Sequence, residues 1–170
     1  MILANGKMSK VEANSKSVVK TFTCPLMFLK EKFFYENFPE FAPEVICINE
    51  VNMSIATKRL KSWRDIKDTL SNENKRNIAE QLILKLKLLW DKGYIHGDVH
   101  MDNIVFNKEL SPVLIDFEWF HHRIHDKFEN DIDIKGHSFV NCFDGSYRSV
   151  KNALNLSKED ALEVIYGDIK

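Results

Sequence analysis

A chain of 170 residues with 44% hydrophobic and 29% charged side chains has an ordinary globular composition and is long enough to bury one core or two small lobes. Its formal charge of −1 removes any global electrostatic case for binding nucleic acid or a membrane surface. Cys24, Cys47 and Cys142 are scattered, odd in number and without a Cys-x-x-Cys pair, which argues against a disulfide framework or a zinc site and suits a reducing compartment. No apolar run approaches the ~20 residues of a membrane span. Met-Ile-Leu-Ala gives way at once to Asn5, Gly6 and Lys7, so no signal-peptide core is expected and the expected location is cytoplasmic.

Residues 1–22 alternate loosely, with turn signals at Asn5-Gly6 and Asn14-Ser15-Lys16; the β-branched run at 17–22 predicts a strand. Pro25 suits the first turn of a helix predicted over 26–38, which Pro39 ends. Residues 45–48 and 54–60 predict two more strands around a turn at 49–52, giving a small, mainly antiparallel sheet with one helix. The clearest helix spans 72–92, with Ser71 as N-cap and Gly93 as its stop. Ile78, Leu82, Leu86 and Leu89 form its core-facing stripe, widened by Ile83 and Trp90, while Lys75, Arg76, Glu80, Lys85 and Lys87 take the wet side. Strands at 104–106 and 113–115 follow, joined by a polar turn with Pro112, then helices near 131–143 and from Ser157 to about Gly167.

The chemistry concentrates in His96-Gly97-Asp98-Val99-His100-Met101-Asp102-Asn103 and in Ile115-Asp116-Phe117-Glu118. Phosphoryl transfer from ATP needs a carboxylate at the attacking hydroxyl and oxygen ligands for Mg²⁺. Asp98 supplies the first, and Asn103 and Asp116 the second. Asp98 and Asn103 stand five positions apart, a spacing that fits a tight loop running into a strand, so both side chains can face one cleft.

This pattern resembles the catalytic and metal loops of the protein-kinase-like superfamily, closest in style to its aminoglycoside/choline-kinase and lipopolysaccharide-kinase branches. The resemblance implies a two-lobed α+β fold over a single domain, 1–170. A small antiparallel N-lobe with one helix covers 1–60, and a truncated, mainly helical C-lobe covers 61–170. It implies Asp98 as catalytic base, Asn103 and Asp116 as Mg²⁺ ligands, and Lys20 as the strand lysine at the ATP phosphates. Glu31 is the implied partner of Lys20, with Glu36 as the weaker candidate. Residues 5–11 are similar to the end of a glycine-rich phosphate loop, with Gly6 and Ser9 at the nucleotide. By the same resemblance, 53–61 holds the interlobe hinge and Asp131 supports the catalytic loop.

The departures shape the expected activity. Gly97 replaces the arginine that receives an activation-loop phosphate in many protein kinases, and only fourteen residues separate Asp116 from Asp131. Activity without activation-loop phosphorylation is therefore expected. The acceptor is a hydroxyl of a small molecule, a glycan or a protein Ser/Thr, and a partner protein that completes the short C-lobe is a further expectation. The histidines at 96, 100, 121, 122 and 125 lack the local spacing of a zinc site, and His121-His122 is expected in a polar loop. The competing reading is a pseudokinase, a nucleotide-binding or interaction module without catalysis.

Overall fold

Five antiparallel strands open the fold in a computed structural model that describes residues 2–5, 8–122 and 154. They are β1 (Ile2–Asn5), β2 (Ser9–Ala13), β3 (Ser17–Phe22), β4 (Val45–Asn49) and β5 (Ser54–Lys58), in the order β1-β2-β3-β5-β4. The β2–β3 hairpin turns on Asn14, whose Oδ1 accepts from the backbone N–H of Lys16 and of Ser17, both at 2.8 Å. β3 is central, and Lys20 lies between Val11 of β2 and Ile55 of β5. Two strands, β1 and β2, extend the sheet beyond the single strand expected in residues 1–22. Strand β5 ends at Lys58 rather than at residue 60, so Arg59 and Leu60 alone link it to the next strand.

Helix α1 (Pro25–Asn37) starts with a proline at its first turn, where the missing N–H costs nothing. Phe28, Glu31, Phe34 and Tyr35 share its buried face. One carboxylate is thus carried inward on an otherwise apolar and aromatic surface. The chain continues through β6 (Lys61–Ser62) into the short α2 (Trp63–Ile66). A capping box starts α2: the Asp65 carboxylate accepts from the Ser62 backbone N–H at 2.7 Å.

Helix α3 (Asn72–Asp91) runs as the periodicity predicts. The Ser71 hydroxyl accepts from the Asn74 N–H at 3.1 Å, and Gly93, at φ 88°, ends the helix. Ile78, Leu82, Ile83, Leu86 and Leu89 are buried, whereas Trp90 is half-buried. The remaining strands are β7 (Tyr94–Ile95), β8 (Ile104–Phe106), β9 (Pro112–Leu114) and β10 (His121–His122). They form the sheets β6-β8-β9 and β7-β10. Pro112 opens β9 instead of sitting in the turn before it; as an edge strand β9 tolerates the lost N–H. His121 and His122 pair with Ile95 and Tyr94, so they belong to a strand and not to a loop.

One hydrophobic core joins these parts. It contains Phe22, Phe28, Phe34 and Ile55 from the first half and Leu82, Ile104, Leu114 and Phe117 from the second, and helical Leu154 also enters it. Among the described residues no helix is long and apolar enough to cross a membrane. The helices expected near 131–143 and 157–167, together with Gly6, Asp131 and His125, lie outside the described residues.

Candidate active site

Two loops meet beneath the central strand. The first runs from β7 to β8 and is anchored by His96, of which only 2% is exposed. Its Nε2–H donates to the Ile115 carbonyl at 3.0 Å, and its Nδ1 accepts from the Asp98 N–H at 3.3 Å. Those two roles require the neutral Nε2–H tautomer. Burial pushes the imidazole down to about 4, against the opposing pull of the Ile115 carbonyl, Asp116 and Asp98. His96 therefore links both loops without carrying charge.

Asn103 ends a 3₁₀ turn (Met101–Asn103) and is buried. Its Nδ2 donates to the Asp98 carbonyl at 2.9 Å and to Asp98 Oδ2 at 3.1 Å. The amide nitrogen is thus committed to Asp98, which leaves Oδ1 outside that pair. The backbone closes the same junction, because Ile115 N–H donates to the Asn103 carbonyl at 3.0 Å.

The second loop leaves β9 through Asp116, whose φ of 65° is left-handed, a region Asp adopts more readily than most residues. That turn places Asp116 against Lys20. Lys20 Nζ lies 2.8 Å from Glu31 Oε2, 2.6 Å from Asp116 Oδ1 and 3.0 Å from Glu118 Oε1. The Ser9 hydroxyl donates to the same Glu118 oxygen at 2.9 Å. Burial works against the lysine charge, but Glu31 and Asp116 outweigh it and hold the ammonium above its ordinary range. Burial raises the Glu31 carboxyl to about 7 despite Lys20, with Asp116 and Glu118 adding to the rise. The carboxylates thus raise the ammonium, while burial is what raises Glu31.

Lys20, Glu31 and Asp116 are thus brought together, Ser9 joins them through Glu118, and Asp98 pairs with Asn103. Glu36, the other candidate for Lys20, is exposed and lies 3.7 Å from Lys32 instead. Glu118 was not among the expected site residues; its signal was an acidic residue two positions after Asp116. The linking role of His96 had no sequence signal beyond its place before Gly97-Asp98.

Ligand oxygens of Glu31, Asp116 and Glu118 all lie within 4.8 Å of one another. Glu31 is buried and engaged by Lys20, whereas Asp116 and Glu118 are less enclosed. Hard oxygens such as those of Asp116 and Glu118 are the donor type Mg²⁺ takes, and the ammonium already seated there shows that the surroundings favour a cation. The donor set fits the ion.

An antiparallel sheet with one buried Lys–Glu pair, packed over a hairpin-borne acidic site, is consistent with a protein-kinase-like α+β fold. Residues 55–122 match the model of the phosphotransferase enzyme family, which belongs to the protein-kinase-like superfamily and is of the aminoglycoside/choline-kinase type. That segment contains Asp98, Asn103 and Asp116, while Lys20 and Glu31 lie before it. The match supports a kinase-like phosphotransferase in general terms. No curated protein matches the chain.

Proposed function

We propose that this protein transfers the γ-phosphate of Mg-ATP to a hydroxyl acceptor, working as one minimal kinase-like domain whose N-lobe is residues 1–60 and whose C-lobe is 61–170. The observation that carries this reading is the convergence on Lys20 of Glu31 at 2.8 Å and Asp116 at 2.6 Å, the second from 96 positions away. A strand lysine held by a helix carboxylate is ready to engage the α- and β-phosphates. In this reading Gly6 and Ser9 approach the nucleotide, and Asn103 and Asp116 hold Mg²⁺, with Glu118 beside them. The ion, when bound, neutralises charge on the phosphates. Asp98 orients the acceptor hydroxyl and takes its proton as the oxygen attacks phosphorus. The bond to the β,γ-bridging oxygen breaks and its electron pair leaves on ADP. The acceptor classes are a small molecule or glycan and a protein Ser/Thr, and the working location is the cytoplasm.

The test is transfer of label from γ-labelled Mg-ATP to a cell extract by the wild type and by Asp98→Asn. Wild-type labelling that Asp98→Asn loses, with ATP binding retained by both, is the expected result. Partition of the label between protein and small-molecule fractions then assigns the acceptor class. Equal labelling by the two proteins would sink the assignment of Asp98. ATP binding with no labelling by either would favour the pseudokinase reading.

A further inference from the structure

We propose that His100 is a positioning residue for the Asp98 carboxylate, holding one of its oxygens so that the other faces the acceptor. This role rests on the phosphotransferase reading above and extends it to a residue outside the expected site. The two Asp98 oxygens are not equivalent. Oδ2 has Asn103 Nδ2 at 3.1 Å and His100 Nε2 at 3.5 Å. No contact engages Oδ1 among the described residues, and the Asp98 side chain is 41% exposed, as an approaching acceptor requires. A carboxylate held by Asn103 alone can still pivot about that one bond. A second N–H brought onto the same oxygen restricts that rotation.

Several features set His100 apart from a surface histidine that happens to lie near an acid. Its backbone is fixed, since its carbonyl accepts from the Asn103 N–H at 2.9 Å, so the ring is carried by the same turn that places Asn103. Asp98 in turn is fixed through its N–H on His96 and its carbonyl on Asn103. With both backbones set, the remaining freedom is in the two side chains, and their contact restricts it. At 3.5 Å the two groups are close without forming a hydrogen bond in this structure. Contacts of this kind are often long without substrate and tighten in the reacting complex. The role needs only an N–H at Nε2 and no change of charge on the ring. In the reacting complex the acceptor O–H bond breaks and its proton goes to Asp98 Oδ1. The oxygen–phosphorus bond forms as ADP departs, and solvent later takes the proton from the exposed carboxyl.

The experiment follows phosphate release from γ-labelled Mg-ATP with water as acceptor, in wild type, His100→Ala, His100→Gln and Asp98→Asn. ATP affinity and the urea midpoint are measured on each protein. His100→Ala is expected to lower kcat about 10- to 100-fold, the scale of a misplaced reacting group, with KM for ATP within about twofold of wild type. His100→Gln keeps an N–H of similar reach and is expected to recover most of the loss. Unchanged kcat in His100→Ala, or equal impairment in His100→Gln, would overturn the positioning role while Asp98-dependent turnover upheld the enzyme. Wild-type turnover no higher than that of Asp98→Asn would overturn both.

Discussion

Gly97 stands at φ 82°, and a β-carbon there would collide with the Trp119 carbonyl oxygen. Backbone conformation and space therefore each demand glycine, because the Asp98 loop and the loop after Asp116 approach one another backbone to backbone. The same contact explains why the position cannot carry the arginine of many protein kinases: a side chain would push Trp119, and with it Glu118, away from Lys20. Gly97→Ala is accordingly expected to destabilise by more than ~1 kcal/mol, since the strain and the clash add. Urea denaturation monitored by circular dichroism checks it, and a midpoint equal to wild type would show that the loops part without penalty. Left-handed Asp116 raises no such conflict, because its carboxylate gains Lys20 at 2.6 Å in return.

Helix α1 connects the two halves of the site through one face. Glu31 meets Lys20, and one turn later Phe34 stacks on Phe117 at a centroid distance of 3.5 Å. Phe117 is fully buried and also lies against Tyr35 and the His96 ring. The residue between Asp116 and Glu118 is thus the anchor that holds the acidic loop to the helix. Phe34→Ala is expected to destabilise by about 3–5 kcal/mol, the range for an emptied aromatic core position, and to weaken ATP binding at the same time. Unfolding and nucleotide titration of the same sample test the pairing; lost stability with unchanged ATP affinity would mean that the loop holds its place without the stack. Elements of this kind differ in how far the sequence displays them. Helix α3 is legible because its stripe from Ile78 to Leu89 repeats at the helical period against charged neighbours. Helix α1 is legible as a helix, and the resemblance singles out Glu31 over Glu36 as the partner of Lys20; packing accounts for the choice, burying Glu31 and leaving Glu36 exposed. Strand β2 is obscured by Lys10 and Glu12, which pair with each other at 3.0 Å on an open face. The Ser9–Glu118 contact spans 109 positions and depends on the left-handed turn at Asp116, so no local pattern could announce it.

At the scale of the whole molecule, the two buried titratable groups that link these elements act on stability in opposite directions. Glu31 is raised from an ordinary 4.5 to about 7 by burial, so between those values the folded chain holds a proton that the unfolded chain has lost. Stability from this group is complete below pH 4.5 and is lost as pH rises toward 7. His96 is lowered from 6.5 to about 4 by burial, so between those values the unfolded chain holds the extra proton. Its contribution is complete above pH 6.5 and is lost as pH falls toward 4. The windows overlap from pH 4.5 to 6.5, where the two slopes, each about 1.4 kcal/mol per pH unit for one full proton, oppose one another. Glu31→Gln removes one of the pair and keeps the side-chain shape. Relative to wild type, its stability is expected to fall with acidification across that window, because His96 then acts without its counterweight. Urea unfolding of the two proteins at half-unit steps of pH measures the difference directly. A variant that tracks wild type in parallel from pH 4.5 to 6.5 would mean that Lys20 keeps Glu31 ionised throughout, and that the ammonium governs the site's charge despite the two further carboxylates beside it.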